Sequence, residues 1–174
     1  MAEKFASVPY TKELQEQYSL KFDCENEALN AFLRSYDAID PLFGKTYVII
    51  SGDSIFGYYN ISTGDIEDEN GFRMGGSIYI NYLALDKEYH HIMYDENERL
   101  YASDFLLGDC FNRVMYLQGN YIGFTFITLS STDEGYELYK RNGFEELEED
   151  MKFSKNIGEK TCKSMYWAIP MEEE

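Results

Sequence analysis

The stretch from Ile78 to Leu117 holds the residues best placed to bind a charged ligand. It reads as a strand, a polar connection and a helix. Ile78-Tyr79-Ile80-Asn81-Tyr82-Leu83-Ala84-Leu85 is β-branched and aromatic, which suits a buried strand. From Ser103 to Leu117, the residues Leu106, Leu107, Cys110, Phe111, Val114 and Leu117 recur on one helical face. A strand that delivers the chain to a helix N-terminus makes a site for an anionic cofactor, because first-turn N–H groups and the helix dipole point at the ligand. Metal and thiol chemistry have little to work with. Cys24, Cys110 and Cys162 are widely spaced, no CxxC or Cys/His ligand spacing occurs, and the adjacent His90-His91 has no partners, so no metal site is expected. Cys110 lies on the apolar helix stripe and is expected to pack in a core.

Several elements must position that stretch. A first strand is expected near Phe5 to Pro9 or Tyr18 to Phe22, within a polar lead-in. Asp23 can cap a helix running to about Tyr36, with Ala28, Leu29, Phe32, Leu33 and Tyr36 on its buried face. Asp40-Pro41 and Gly44 break the chain. Lys45 to Ser51 and Ser54 to Ser62 flank Gly52-Asp53 as a β-hairpin. Gly64 to Gly76 and Asp86 to Ala102 read as loops, the latter longer than a usual strand-to-helix connection. Phe124 to Leu129 is a short strand, joined to the Ile78 strand by a helix, so the two are expected to be parallel neighbours. Ser131-Thr132-Asp133-Glu134 has capping-box form and predicts a helix from Thr132 to Arg141, ended by Asn142-Gly143. A strand starts near Phe144, Lys155 to Lys160 is a turn region, and Lys163 to Ile169 is the last strand. The fold class is α+β, one mixed sheet with helices on its faces.

The chain has 174 residues, enough for one domain with a full core, expected over 1–174 with its core at about 22–169. There are 32 acidic and 15 basic residues, a net charge of −17, which disfavours polyanions; nucleic acid is therefore not an expected partner. The acidic runs Glu145 to Asp150 and Glu172 to Glu174 read as solvated surface. The 16 tyrosines suggest surfaces and pockets. The N-terminus has no apolar signal core and no run reaches membrane-spanning length, so a cytoplasmic protein with no membrane contact is expected.

Three pieces resemble the GNAT superfamily of acetyl-CoA-dependent N-acetyltransferases. Tyr82-Leu83-Ala84-Leu85-Asp86 is similar to the family's central-strand ending. Gly135-Tyr136-Glu137-Leu138-Tyr139-Lys140-Arg141-Asn142-Gly143-Phe144 is similar to its late-helix signature. Phe22-Asp23-Cys24-Glu25-Asn26-Glu27-Ala28-Leu29-Asn30-Ala31-Phe32-Leu33 resembles the opening helix of a toxin-type branch that acetylates aminoacyl-tRNA. The resemblance implies a GNAT-like acyl-CoA N-acyltransferase fold and acetyl-CoA as cosubstrate. It implies that backbone N–H groups around Leu83, Ala84 and Leu85 hold the pantetheine arm and polarise the thioester carbonyl. Ala102, Ser103, Asp104 and Ser130 complete the implied cofactor contacts. Tyr139 is the implied general acid for the leaving thiolate; an unperturbed phenol, of pKa about 10 against about 8.5 for a thiol, is protonated at neutral pH. No residue is identified as a general base: Tyr79 and Asn81 share a strand face with Leu83 and His90 follows that strand closely, and each is expected to be structural or solvent-facing rather than catalytic. The family's Arg/Gln-x-x-Gly-x-Gly/Ala pyrophosphate loop is absent: Tyr101 and Ser103 fall at its glycine positions, and Asp95, Glu96 and Glu98 crowd the segment before them. The expected acceptor is a small-molecule amine, a peptide N-terminus or a protein lysine, and a homodimer is compatible with this. The competing expectation is a non-catalytic GNAT-like module whose acidic face binds a basic partner.

Overall fold

The structure, a computed structural model, describes residues 5–153 and 162–171. The turn expected at Lys155 to Lys160 and the acidic run from Glu172 lie outside the described residues. In chain order the elements are β1 (Ser7–Pro9), α1 (Lys12–Tyr18), α2 (Glu27–Arg34), 3-10 turns at Tyr36–Ala38 and Pro41–Phe43, β2 (Lys45–Ser51), β3 (Ser54–Asp68), β4 (Arg73–Leu85), a 3-10 turn at Lys87–Tyr89, β5 (Met93–Asp95), β6 (Leu100–Tyr101), α3 (Ala102–Asn120), β7 (Phe126–Ser131), α4 (Tyr136–Arg141), β8 (Glu145–Glu146), β9 (Met151–Phe153) and β10 (Lys163–Ala168). The expected mixed α+β architecture is what the structure has. No helix among the described residues is long and apolar enough to cross a membrane.

The contacts divide the chain into two compact units, Met1–Ile61 with Asn81–Tyr116, and Ser62–Ile80 with Leu117–Glu174. In the first unit, β1 and β3 flank β2 in antiparallel register, and β3 is followed by β4. Phe22, Leu33, Val48, Ile55, Tyr58 and Ala84 form its core with Leu29 and Phe32 of α2 packed against them. Tyr10, Tyr58 and Tyr59 are core residues here, while Tyr36, Tyr82 and Tyr94 are exposed. Tyr58 and Tyr10 are buried and donate their hydroxyls to the α2 carbonyls of Leu29 and Leu33, at 2.8 and 3.0 Å. Each thus adds a large apolar body while satisfying its one polar atom. Burial pushes the Tyr58 and Tyr59 phenols well above their ordinary range.

β1 is pinned by a second device. The buried Asp109 of α3 accepts the N–H groups of Ala6 and Ser7, the Ser7 hydroxyl and, at 2.9 Å, the Tyr59 hydroxyl. One turn later Arg113 donates to Tyr59 Oη, to Ser7 Oγ and to the Ser7 carbonyl, with its guanidinium between the rings of Phe5 and Tyr47 at 4.2 and 4.0 Å. Cys110 is fully buried on α3, as its place on the apolar stripe predicts, and burial pushes its thiol up so that it stays protonated.

In the second unit, β4 runs parallel to β7 from Ser77↔Phe126 to Ile80↔Leu129, as expected for strands joined through a helix. β10 pairs antiparallel with β7 and β8, and β9 pairs with the far end of β3.

Several expectations change. The lead-in contains α1, capped by Thr11. α2 starts at Glu27 under the Asn26 side chain, not Asp23, and stops at Arg34; Ala28 and Tyr36 are exposed, whereas Asn30 faces inward. Asp23 instead accepts from Glu25 N–H and pairs with Lys87 at 2.8 Å; that hydrogen bond holds its carboxyl well below the usual range. Gly64 to Gly76 is not a loop. β3 continues to Asp68, a tight turn closes with Asp68 N–H on the Phe72 carbonyl, and β4 begins at Arg73. Polar residues there sit on a half-exposed hairpin, whose pattern resembles a loop in sequence.

Replacing Asp109 with Ala removes the buried carboxylate that accepts from Ala6, Ser7 and Tyr59 and leaves those donors without it. We expect a loss of about 1–3 kcal/mol in chemical denaturation of the variant.

Candidate active site

Within the first unit, the end of β4 is shaped by its ladder with β3. Asp86 N–H donates to the Phe56 carbonyl at 2.9 Å. In an antiparallel pair, every second residue bonds to one neighbour. Ala84 therefore turns its peptide groups to β3, and Leu83 and Leu85 turn theirs away from it. His90 confirms the direction for Leu85, since its Nε2 meets the Leu85 carbonyl at 2.8 Å. With that carbonyl capped, the strand end offers N–H donors, which suit an oxygen bearing developing negative charge. Asp86 is buried and serves a structural purpose. It accepts from the N–H groups of Asp23 and Glu88, joining the turn after β4 to the segment before α2. His90 Nδ1 faces Glu25 at 3.6 Å.

The expected long loop before α3 is a small structure of its own. After the 3-10 turn, β5 and β6 pair antiparallel, and Asp95 accepts from the N–H groups of Asn97 and Glu98 across their turn. Tyr94 packs edge-on to Phe105 at 5.4 Å between ring centroids. The hairpin delivers the chain to Ala102, whose N–H donates to the Ile92 carbonyl at 2.8 Å. Asp104, buried in the first turn, reaches back to the N–H of Tyr101 at 2.9 Å. This is half of a capping box, with an acid at the third helical position closing on the residue before the helix. The signal was legible as Tyr101-Ala102-Ser103-Asp104. Here a carboxylate of the chain itself sits where a glycine loop would present bare backbone. Ala102, Ser103 and Asp104 thus gather at one helix start, and Leu83, Ala84 and Leu85 at one strand end, both in the first unit.

Ser130 and Tyr139 lie in the second unit. Tyr79 donates its hydroxyl to Ser130 Oγ at 2.8 Å. α4 is shorter than expected, Tyr136–Arg141, because the capping box does not form: Ser131 Oγ donates to the Thr132 carbonyl, and Thr132 Oγ1 accepts the Gly135 N–H. Its C-terminus does match the expectation. Gly143 has φ +90°, its N–H donates to the Lys140 carbonyl, and Phe144 N–H donates to the Tyr139 carbonyl at 3.0 Å. Those two bonds are a Schellman motif, and its usual apolar contact is the edge-on packing of Phe144 on Tyr139 at 5.7 Å. At the other end of the ring, a Cβ on Gly135 would lie 3.3 Å from Tyr139 Cε2 and 3.3 Å from Ser131 Oγ. The two glycines thus place the Tyr139 ring, buried, beside the end of β7.

This is the fold of the GNAT acetyltransferases, including its toxin branch. The toxin AtaT, as a tyrosine-to-phenylalanine mutant bound to the C-terminus of the antitoxin AtaR and acetyl-CoA, matches with a TM-score of 0.68 and 18% identity, over 95% of this chain and 94% of that one. The KacTA–DNA complex gives 0.68 and 20% over 95% and 93%, and a GNAT-family acetyltransferase from Staphylococcus aureus Mu50 gives 0.54 and 17% over 93% and 97%. No family model and no curated protein matches the sequence.

Asp104 places a carboxylate at the start of α3, which disfavours a second anion there. Replacing Asp104 with Asn keeps a side-chain oxygen for Tyr101 N–H and removes the charge. We expect acetyl-CoA to bind more tightly by about 0.3–1 kcal/mol, roughly two- to fivefold, in a calorimetric titration at low salt.

Proposed function

We propose that the protein is an N-acetyltransferase that moves an acetyl group from acetyl-CoA to a primary amine. The observation that carries this reading is the Tyr139 ring, fixed by Gly135, Gly143 and Phe144 beside the end of β7. Acetyl-CoA, when bound, supplies an acyl group activated as a thioester. The N–H groups of Leu83 and Leu85 donate to the thioester oxygen as charge develops on it, and residues 102–104, with Ser130, hold the remainder of the molecule. Tyr139 gives its hydroxyl proton to the departing sulfur as the N–C bond forms and the C–S bond breaks. The surplus proton of the amine goes to water, and the phenolate is reprotonated from solvent.

The acceptor that this reading favours is a small-molecule or peptide amine. A structure of AtaT holds acetyl-methionyl-tRNAfMet, and KacTA is seen with DNA. A tRNA acceptor for this chain would have to approach a protein of net charge −17.

Acetyl-CoA at a hundred times its Kd is expected to stabilise the native state by about 2.7 kcal/mol, read as a rise in melting temperature. An unmoved melting temperature at millimolar acetyl-CoA favours the non-catalytic module. Replacing Tyr139 with Phe is expected to lower kcat roughly a hundredfold or more while the thermal shift persists. An unchanged kcat removes Tyr139 from the chemistry.

A further inference from the structure

Four rings of the first unit stand in a row. Tyr89, in the turn after β4, lies 4.5 Å from Phe56 of β3 between ring centroids. Phe56 lies edge-on to Phe105 of α3 at 5.9 Å, and Phe105 edge-on to Tyr94 of β5 at 5.4 Å. The row runs outward. Phe105 and Tyr94 are 39% and 52% exposed, and Ile92 and Met93, just before Tyr94 in the chain, are 50% and 38%. Phe105 breaks with its own helix, since Leu106 and Leu107 after it are buried. Apolar side chains exposed one at a time need no explanation, but a connected set marks a surface that something covers.

Holding the hairpin in place does not account for these side chains. Two strands this short have little stability of their own. Their backbone supplies the ties: Ala102 N–H donates to the Ile92 carbonyl, Ile92 N–H donates to the Tyr89 carbonyl at 3.2 Å, and Asp95 closes the turn between the strands. None of these bonds uses the side chain of Ile92, Met93 or Tyr94.

The rim of this surface selects the partner. Asp95, Glu96 and Glu98 lie on the same hairpin, and Glu88 precedes it. Asp95 is engaged by the N–H groups of its turn. Glu88, Glu96 and Glu98 are exposed, and among the described residues no ion pair engages their carboxylates. Arg99 is the hairpin's cation, and Lys87, beside Glu88, is bonded to Asp23. A nucleic acid, an anionic lipid surface or a second copy of this chain, at net charge −17, would meet repulsion here. A segment with apolar anchors flanked by Lys or Arg would not. Its apolar side chains cover the rings, its cations meet the carboxylates, and the aromatic faces themselves attract ammonium and guanidinium groups. A row of rings with aliphatic neighbours is more than one amine-bearing side chain covers, which points to a peptide. We propose that the β5–β6 hairpin and Phe105 form a docking surface for a basic amphipathic segment of a partner protein. The surface does not rest on acetyl transfer, and acetyl-CoA has no part in its test.

The test uses the full chain without acetyl-CoA and three fluorescein-labelled probes: an amphipathic peptide of leucine and lysine, its leucine–glutamate counterpart, and oligolysine. Binding is read by fluorescence anisotropy at low and at physiological salt. The leucine–lysine peptide is expected to bind roughly tenfold more tightly than either of the others. Ile92→Ser and Tyr94→Ser should each weaken it roughly fivefold. Leu42→Ser, at an exposed apolar position outside the row, should leave it unchanged. Glu96→Gln combined with Glu98→Gln should weaken it roughly two- to fivefold at low salt and flatten its salt dependence. Melting temperatures near that of wild type separate a lost contact from a lost fold, and if Tyr94→Ser does not fold, Ile92→Ser carries the comparison. Equal binding of the leucine–glutamate peptide or of oligolysine overturns the proposal, as does binding of no probe, or a loss in Leu42→Ser as large as in Ile92→Ser. A dimer in sedimentation that Ile92→Ser abolishes also overturns it, because the occupant is then a second copy.

Discussion

A strand paired on one edge in antiparallel register can give only alternate residues to that neighbour, and the end of β4 is built on this constraint. Asp86 is tied to Phe56, so the peptide groups of Leu85 and Leu83 are committed to the other edge. Such groups inside a protein must find partners or face a ligand. Here the acceptor at Leu85 is taken by the His90 ring, and this biases what remains toward donors. A few residues earlier on the same strand, Asn81 donates to Asn60 Oδ1 and the Tyr82 ring packs on Phe32 of α2.

α4 solves a different problem with similar economy. A helix of six residues has little stability of its own. Its C-terminal carbonyls are satisfied by Gly143 and Phe144, and the residue that closes the motif is also the one whose ring packs on Tyr139. A side chain other than glycine at 135 would press on that ring, and one at 143 would strain the backbone and approach the Trp167 indole. The spacing from Gly135 through Tyr139 to Gly143-Phe144 therefore has a mechanical meaning: it is what a buried, immobile phenol on a short helix requires.

Much of this was legible in the chain. The β2–β3 hairpin around Gly52-Asp53, the parallel β4–β7 pair, the apolar stripe of α3 and the left-handed Gly143 follow from local patterns that tertiary packing reinforces. The misses share a cause as well. The β3–β4 extension and the β5–β6 hairpin are made of polar, glycine-containing or acidic residues, because each is an exposed hairpin that never needs a continuous apolar face. The capping box at Ser131 does not form: the Ser131 hydroxyl donates to the neighbouring Thr132 carbonyl, Thr132 Oγ1 accepts the Gly135 N–H in a turn, and the helix starts after Gly135 with no side-chain cap. The bonds that tie Asn81 to Asn60 and Asn60 to Thr46 join three strands, so they are not visible in β4 alone.

The start of α3 shows how a fold can keep its frame and change its electrostatics. Helix N-termini favour anions because their N–H groups and dipole converge there. A glycine loop leaves that potential to a ligand. In this chain the hairpin supplies the Ile92 carbonyl to one N–H, and Asp104 supplies a carboxylate to another. Both stabilise the helix in the absence of any ligand, and both reduce what the helix start can give to a diphosphate. The donors at the end of β4 and the packing of Tyr139 on Phe144 each depend on neither of these bonds. On the proposed acetyltransferase reading, loss of the glycine signature would therefore weaken the hold on a diphosphate without removing the residues proposed to act at the acyl group.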